Sequence, residues 1–235
     1  MNTNDILRGT PILLPTRAAS SGLAVNKTEY VVVDGMTSYV YIFSFDGIFK
    51  GAVPTLRPYR KLTYSIDTDS YYALGCDCGN EIYTLNCRFE ETDRAFAENV
   101  SHLTDISLYP ESECGEKLLL SSPHEVNVFS KSGIQITEIR KKGRDIFYNS
   151  FVKTECATAE GITKNCEEYV RLSVNCEETI LALPFCVTLK NLFVTDGGGI
   201  YGFFSKNYVN NYVVPIYEND TVNSRFFSAL LKNSF

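Results

Sequence analysis

The sequence repeats short strand-like pieces at a nearly fixed interval. Four of these pieces begin at Leu62, Asp105, Tyr148 and Asn191, and each start lies 43 residues after the previous one. A fifth piece begins near Leu23, and its LAVNKTEYVVVDG superposes on YSIDTDSYYALG without gaps for most of its length. Intervals of roughly 40–50 residues are typical of proteins in which one supersecondary unit is stacked on copies of itself. The repeat therefore predicts five copies of one unit.

Each unit contains three or four short β-rich runs separated by turn residues. In one run, Tyr39, Tyr41 and Phe43 fall on one face and Val40 and Ile42 on the other, which is the two-residue period of a strand. Dipeptides such as Asp-Gly and Ser-Gly between the runs favour tight turns. We therefore predict an almost all-β chain with antiparallel strands. Six predicted strands are Tyr30–Val33, Tyr39–Phe43, Tyr71–Leu74, Leu118–Leu120, Val126–Phe129 and Gly202–Phe204.

A single four-stranded unit cannot cover both of its own faces, so the units must stack. Stacking in a closed ring buries every face and removes unpaired ends. We predict one β-propeller domain over 1–235, with blades of about 42 residues. The predicted blades lie near 22–61, 62–103, 104–146, 147–187 and 188–235. The N-terminal segment 1–21 contains Ile12–Leu14, which we expect to pair with the last blade and close the ring.

This period and strand pattern resemble those of the β-propeller superfamily in general, over nearly the whole chain. There is no Trp-Asp dipeptide, no kelch double glycine repeated in each blade and no Asp-box repeated in each blade. The length is similar to that of five-bladed lectin propellers of the tachylectin type. Those lectins have Trp-rich sugar pockets, and this chain has no Trp. The resemblance implies the architecture without a named family, and a two-sheet sandwich is the structural alternative.

Charge and hydropathy exclude several function classes. Lys and Arg number 22 against 28 Asp and Glu, a net charge of −6, which argues against a nucleic-acid or anionic-membrane surface. The longest apolar stretch near the N-terminus, Ile12–Leu14, is too short for the core of a signal peptide. No run approaches the ~18 apolar residues of a membrane-spanning helix. We therefore expect a soluble, cytoplasmic protein.

The eight cysteines are the first candidates for special chemistry. Four of them recur every ten residues in the fourth blade: Cys156, Cys166, Cys176 and Cys186. This spacing does not supply the close C-x₂₋₄-C pairs of structural zinc, so we expect buried free thiols, one in each strand. A metal site at Cys76, Cys78 and Cys87, or disulfides, are the alternatives. We predict no cofactor and no metal.

No catalytic constellation assembles from the sequence. The innermost strands are expected to contribute Asp67, Asp69 and Asp105, with Asn149 and Asn191 in the later blades, and these acids are too few for the paired carboxylates of a glycoside hydrolase. Asp67-Thr68-Asp69 is also interpreted as an acidic turn between the first and second strands of its blade, in preference to a calcium site. His102 and His124 accompany no recognisable nucleophile motif. We therefore predict a non-catalytic binding or scaffold module that recognises a protein or a small polar ligand through the blade faces or the channel. The alternative is a carbohydrate-active hydrolase or lyase with carboxylates at the channel mouth.

The predicted ligand-binding residues follow from the repeat register. The 43-residue spacing places Ser107 and Ser150 at matching positions on innermost strands, and Ser65 joins them after a one-residue slip. Small hydroxyl side chains suit a crowded axis and make it polar without making it reactive. A polar-aromatic segment near the C-terminus adds a second candidate surface. The six candidates are Ser65, Ser107, Ser150, Asp105, Tyr208 and Tyr212.

Overall fold

The computed structural model describes residues 10–15, 19–77, 79–110, 116–141, 146–195, 197–207, 210–218 and 221–222. Throughout these ranges every regular element is a β-strand, and no helix occurs. Accordingly, the described ranges contain no helix with the length and apolarity needed to cross a membrane. The high content of aromatic and β-branched residues favours this all-β result.

The strands form five antiparallel sheets, and four of these sheets follow chain order without a crossover. A short strand, β1 (Thr10–Ile12), precedes the first complete sheet. The first sheet comprises β2 (Gly22–Val25), β3 (Tyr30–Val33), β4 (Tyr39–Phe43) and β5 (Phe49–Pro54). The second comprises β6 (Tyr59–Ser65), β7 (Ser70–Gly75), β8 (Glu81–Leu85) and β9 (Glu91–Phe96). The third comprises β10 (Asp105–Tyr109), β11 (Lys117–Ser121), β12 (Glu125–Ser130) and β13 (Gln135–Lys141).

The fourth and fifth sheets have longer strands. The fourth comprises β14 (Ile146–Lys153), β15 (Ala157–Lys164), β16 (Glu167–Val174) and β17 (Glu177–Ala182). The fifth comprises β18 (Val187–Val194), β19 (Ile200–Lys206), β20 (Asn210–Glu218), β21 (Thr221–Val222) and the N-terminal β1. All six strands predicted from the sequence are confirmed.

The five sheets are arranged as a ring. Each innermost strand contacts the innermost strand of the next sheet, in the order β2, β6, β10, β14 and β18, and β18 contacts β2 again. Five apolar clusters fill the five spaces between consecutive sheets. The chain is therefore a five-bladed β-propeller, as the repeat predicted.

Burial of both faces explains why several strands are continuously apolar. In β7, Tyr71 and Ala73 pack in the cluster shared with the first blade, whereas Tyr72 and Leu74 pack in the cluster shared with the third. Alternate side chains of one strand point to opposite faces of its sheet. A strand between two blades therefore needs apolar residues at every position rather than at every second one.

The N-terminal strand is paired with the last blade, as expected for ring closure. Pro11 lies opposite Tyr212 and Ile12 opposite Asn211 in the antiparallel pairing of β1 with β20. Ile12 is fully buried in the cluster that joins the fifth blade to the first, beside Leu23. Sequence-distant residues thus form one blade. The sequence of Arg225–Leu231, RFFSALL, fits either two turns of helix or a closing strand, and this segment lies outside the described residues.

Candidate functional site

One residue from each innermost strand contributes to a ring around the propeller axis. In β6, β14 and β18 a β-bulge at Arg60, Asn149 and Lys190 shifts the register just before this position. A bulge adds an unpaired residue and re-aims the side chains that follow it. The residue at the equivalent position of each blade belongs to what we name the central ring. Its members are Gly22, Lys61, Asp105, Ser150 and Asn191.

Hydrogen bonds between neighbouring blades hold the central ring together. The Ser150 hydroxyl donates to Asp105 Oδ2, and Ser150 Oγ accepts the main-chain N–H of Leu192 at 2.8 Å. Asn191 accepts the N–H of Leu23 at 2.9 Å and donates to its carbonyl at 2.8 Å. These side chains satisfy main-chain groups that the innermost strands cannot pair within their own sheets. The central ring therefore joins the third, fourth, fifth and first blades.

Lys61 reaches across the ring instead of bonding its neighbour. Its ammonium donates to the main-chain carbonyl of Lys190, on the fifth blade. The side chain passes Gly22, where an added Cβ would lie 2.8 Å from the carbonyl oxygen of Arg60 and 3.3 Å from Lys61 Cδ. Glycine at position 22 thus leaves the space that the lysine occupies.

Burial shifts the proton equilibria of both ionisable groups in the central ring. Asp105 is 2% exposed, and burial raises the pKa of its carboxyl to about 6, against the opposing effects of Lys61 and of the Ser150 hydrogen bond. Burial likewise lowers the pKa of Lys61, and Asp105 opposes this shift. Burial disfavours the charged form of each group. The ring is therefore polar, but its single carboxylate is desolvated and hydrogen-bonded.

A cavity of about 170 Å³ lies at the face where the innermost strands end, which we call the upper face. Apolar groups such as Leu62, Ile106 and Phe193 line it, together with the polar side chains of Ser107 and Asn191. Asn191 also belongs to the central ring, so the ring borders this cavity. Among its described lining residues there is no carboxylate.

Lys153 lies between this inner cavity and a larger outer cavity of about 630 Å³, and it lines both. The outer cavity also touches Glu155, Cys156 and Tyr217. The Lys153 ammonium donates to the Tyr109 hydroxyl at 3.1 Å and lies 4.7 Å from the centre of that ring. The upper face therefore presents a small apolar cavity with a cation at its rim.

The structure brings together some of the predicted residues. Asp105, Ser107 and Ser150 lie at the channel, where Ser107 donates to the carbonyl of Phe151 at 2.8 Å. Ser150 contacts Asp105 rather than standing level with Ser107, because the bulge at Asn149 changes the register of β14 while β10 pairs with β11 without a shift. The 43-residue spacing is thus not constant along the innermost strands.

The other predicted residues lie elsewhere. Ser65 is buried at the end of β6, where its hydroxyl oxygen accepts hydrogen bonds from the N–H and hydroxyl of Thr68 at 3.3 and 2.9 Å. Tyr212 lies on β20, opposite Pro11, and packs against the apolar cluster between the fourth and fifth blades. Tyr208 lies outside the described residues.

The expected contribution of Asp67 and Asp69 to the innermost strand was wrong, whereas the acidic turn predicted for the same residues is confirmed. Both residues are exposed in the turn that joins β6 to β7, beyond the end of the innermost strand. The strand ends at Ser65, so the acidic side chains continue into the hairpin instead of lining the axis. Asp105 alone of the three enters the central ring.

The prediction of buried cysteines in the strands was also wrong. Cys156, Cys166 and Cys176 are exposed in turns, and Cys186 is half-buried in the connection before β18. The ten-residue period arises because β15 and β16 each have eight residues and a two-residue turn follows each. Cys166 and Cys176 have φ of 64° and 68°, and each follows an Asn with positive φ, as in a type I′ turn.

The described part of the chain contains no cluster of side chains that could ligate a metal ion. No group of three or more His, Cys, Asp or Glu side chains there is placed to hold a metal ion. Cys76 donates to the Gly35 carbonyl at 2.7 Å, Cys87 is exposed, and Cys78 lies outside the described residues.

Asn191 was expected at the ring and lies there, whereas Asn149 is the bulged residue beside it. Sequence reasoning missed three residues of the site: Gly22, Lys61 and Lys153. The only sequence signal was their place in the repeated β-run of each blade. A bulge has no clear signature in these runs, and it decides which of two adjacent residues faces the axis.

Comparisons with known proteins support the fold alone. No family model matches the chain, and no curated protein matches it. Among solved structures, the glutaminyl cyclase of Myxococcus xanthus superposes with a TM-score of 0.61 at 12% identity, over 88% of this chain and 95% of that chain. A protein from Bacteroides fragilis gives 0.52 at 10% identity, over 92% and 96%.

A third solved structure is the hydrazine synthase of Kuenenia stuttgartiensis. It matches at 13% identity with a TM-score of 0.45, and the match covers 80% of this chain and 64% of that chain. At such identities the similarity concerns the arrangement of strands. The chemistry of the site must be argued from its own residues.

Proposed function

We propose that the chain is a binding module that takes an amphipathic ligand at the upper face of the central channel. The ligand class is a small polar molecule, or a side chain of a peptide, that has an apolar end. The observation that carries this proposal is the inner cavity of about 170 Å³ with apolar walls and Lys153 at its rim. A cavity of roughly 150 Å³ accommodates a benzene-sized group.

The surroundings of the cavity support an extended ligand rather than a fully enclosed one. Ile66 and Val194 line the cavity and are exposed, which provides apolar contact area outside it. The outer cavity continues past Lys153 and offers room for the polar part of the ligand. A carboxylate on that part would lie near the Lys153 ammonium, where a charge-assisted hydrogen bond is favourable.

The enzyme alternative is less well supported by the same residues. A hydrolase or lyase acting on a carbohydrate needs two carboxylates that converge on the bond to be broken. The described residues that line the inner cavity include none, and Asp105 is buried beneath them with Ser150 as its partner. A glutaminyl cyclase shares the fold at 12% identity, and this likeness does not bring its activity to this chain.

A pair of small probes tests the proposal. N-acetyl-leucine and N-acetyl-leucinamide have the same apolar group, and only the first carries a carboxylate. We would measure their binding by ligand-observed saturation-transfer NMR, beside a panel of neutral disaccharides. In the variant Thr63→Phe the new ring fills the inner cavity from β6. Thr179→Phe is the matched control, because Thr179 is also a half-buried threonine but lies on the outermost strand β17.

We expect N-acetyl-leucine to bind the wild type and the Thr179→Phe control, and to lose its signal with Thr63→Phe. We also expect the amide to bind more weakly, and Lys153→Met to remove the difference between the two probes. If neither probe binds, or if Thr63→Phe binds as the wild type does, the proposal is wrong. A disaccharide that alone gives a signal favours the carbohydrate alternative.

A further inference from the structure

The face at which the innermost strands begin, which we call the lower face, carries an excess of positive side-chain charge near the axis. Arg60 and Lys190 are bulged residues, and Lys61 directly follows Arg60. The Lys61 ammonium contacts the Lys190 carbonyl, and Arg60 and Lys190 are the cations that act electrostatically on it. Asp105 and Glu168 are the carboxylates that act electrostatically on these lysines. Three cations thus face two carboxylates.

None of the three cations is neutralised by an ion pair in the described part of the chain. Arg60 Nε donates to the carbonyl of Gly75 at 2.8 Å, and a second nitrogen of the same group donates to the carbonyl of Leu103. Lys61 donates to the carbonyl of Lys190. Main-chain carbonyls carry partial charges only, so these bonds orient the cations without neutralising them.

Of the three cations, Lys190 has the fewest polar contacts. It is half-buried, and its ammonium has no hydrogen-bond or ion-pair partner among the described residues. Burial takes both ammonium groups partly out of water, and it lowers the pKa of Lys190 and of Lys61. A half-buried ammonium without a partner is unfavourable unless an anion accompanies it.

The two nearby carboxylates are engaged with other groups. Asp105 accepts the Ser150 hydroxyl within the central ring. Glu168 accepts the main-chain N–H of Leu189 at 3.0 Å. Their positions are set by these bonds, so neither can move to pair with Lys61 or Lys190 without leaving a main-chain or hydroxyl donor unsatisfied.

We propose that the lower end of the central channel is a binding site for a small oxyanion, with Lys61 and Lys190 as its direct ligands and Arg60 beside them. A phosphate or carboxylate group offers oxygen acceptors to both ammonium groups and to the unused guanidinium donors. This site lies on the opposite face from the amphipathic-ligand site and does not depend on it.

Inorganic phosphate and acetate are the probes, used with the full chain. Binding is followed by isothermal titration and by thermal unfolding, with chloride added to hold the ionic strength constant. We expect phosphate to bind and to raise the unfolding temperature, because a ligand that binds only the folded state stabilises it. Glycerol phosphate is run in parallel. Tighter binding of the ester assigns the site to a phosphorylated metabolite, and tighter binding of phosphate assigns it to the free ion.

Lys190→Met is the decisive variant, because the Lys190 ammonium has no described partner whose loss would disturb the fold. We expect it to weaken phosphate binding at least about tenfold, the effect of losing one charge-assisted contact. Lys117→Met is the matched control, because Lys117 is also a half-buried lysine but lies on β11, outside both proposed sites, and it should leave phosphate binding unchanged. The proposal is overturned if neither anion binds the wild type, or if Lys190→Met and Lys117→Met bind phosphate equally well.

Discussion

The ammonium of Lys61 donates a hydrogen bond to the main-chain carbonyl of Lys190, although the two residues belong to the second and fifth blades. The first blade lies between them, and its contribution at this level is Gly22. The contact therefore requires a lysine on one strand, a bulge that exposes a carbonyl on another and a glycine on a third. These three features together place a positive charge on the propeller axis.

Replacing Gly22 with alanine should destabilise the protein. The new Cβ would lie 2.8 Å from the Arg60 carbonyl oxygen and 3.1 Å from Lys61 Cα, both main-chain atoms that cannot simply rotate away. Overpacking of this kind costs about 1–3 kcal/mol. Chemical denaturation would measure the change. Gly51→Ala is the control, because nothing lies within 4 Å of its added Cβ. Equal stability of the two variants would contradict the crowding at position 22.

Asp105 should make folding stability depend on pH in a specific window. Burial raises its folded-state pKa from the usual 3.8 of an aspartate to about 6. Between these values the folded state binds more protons than the unfolded state, so the unfolding free energy falls as the pH rises. The contribution is fully present below about pH 4 and is lost above pH 6; two pKa units correspond to at most ~3 kcal/mol.

The variant Asp105→Asn removes this titration. Denaturant unfolding at pH 4, 5, 6 and 7 should show the wild type losing stability relative to the variant as the pH rises. Asp67→Asn removes one carboxylate in an exposed turn and controls for net charge. A wild-type-to-variant difference that stays constant over this range would contradict the buried, desolvated position of Asp105.

Ser107→Leu should destabilise the fold by crowding the innermost strand β10. Ser107 is 6% exposed, and its hydroxyl donates to the Phe151 carbonyl of the next blade. The larger side chain must displace that strand or adopt a strained rotamer, at about 1–3 kcal/mol. Thermal unfolding of Ser107→Leu and of the exposed hairpin variant Ser132→Leu measures the effect. A Ser107→Leu variant as stable as the wild type would show that this position is not crowded.

Ring closure by the N-terminal strand can be tested with two adjacent residues. Ile12 is fully buried between the fifth and first blades, whereas Leu13 is 66% exposed. Ile12→Ala should cost about 2–4 kcal/mol of stability, as expected for a large-to-small change in a core. Leu13→Ala should have little effect, and deletion of residues 1–20 should lower the melting temperature substantially. Equal effects of the two alanine variants, or an unchanged melting curve after deletion, would contradict closure.

The sequence by itself determined the architecture. A unit of about 42 residues with strand-length apolar runs must bury both faces of each small sheet, and stacked blades achieve this. Runs such as Tyr71–Leu74, apolar at every position, already indicate that neighbours cover both sides. The apolar run near Ile12 likewise indicates a strand that needs a partner, and closure of the ring supplies one.

The tertiary structure alone decided which residues meet at the axis. The spacing of ten between cysteines was visible in the sequence, but only the turn geometry shows that Cys166 and Cys176 are exposed. In the same way, the bulges at Arg60, Asn149 and Lys190 select Lys61, Ser150 and Asn191 for the central ring. The physical reason is that a strand repeats every two residues, so one inserted residue exchanges the face that each later side chain occupies. Periodicity in the sequence identifies strands, whereas the register between them depends on contacts among all five blades.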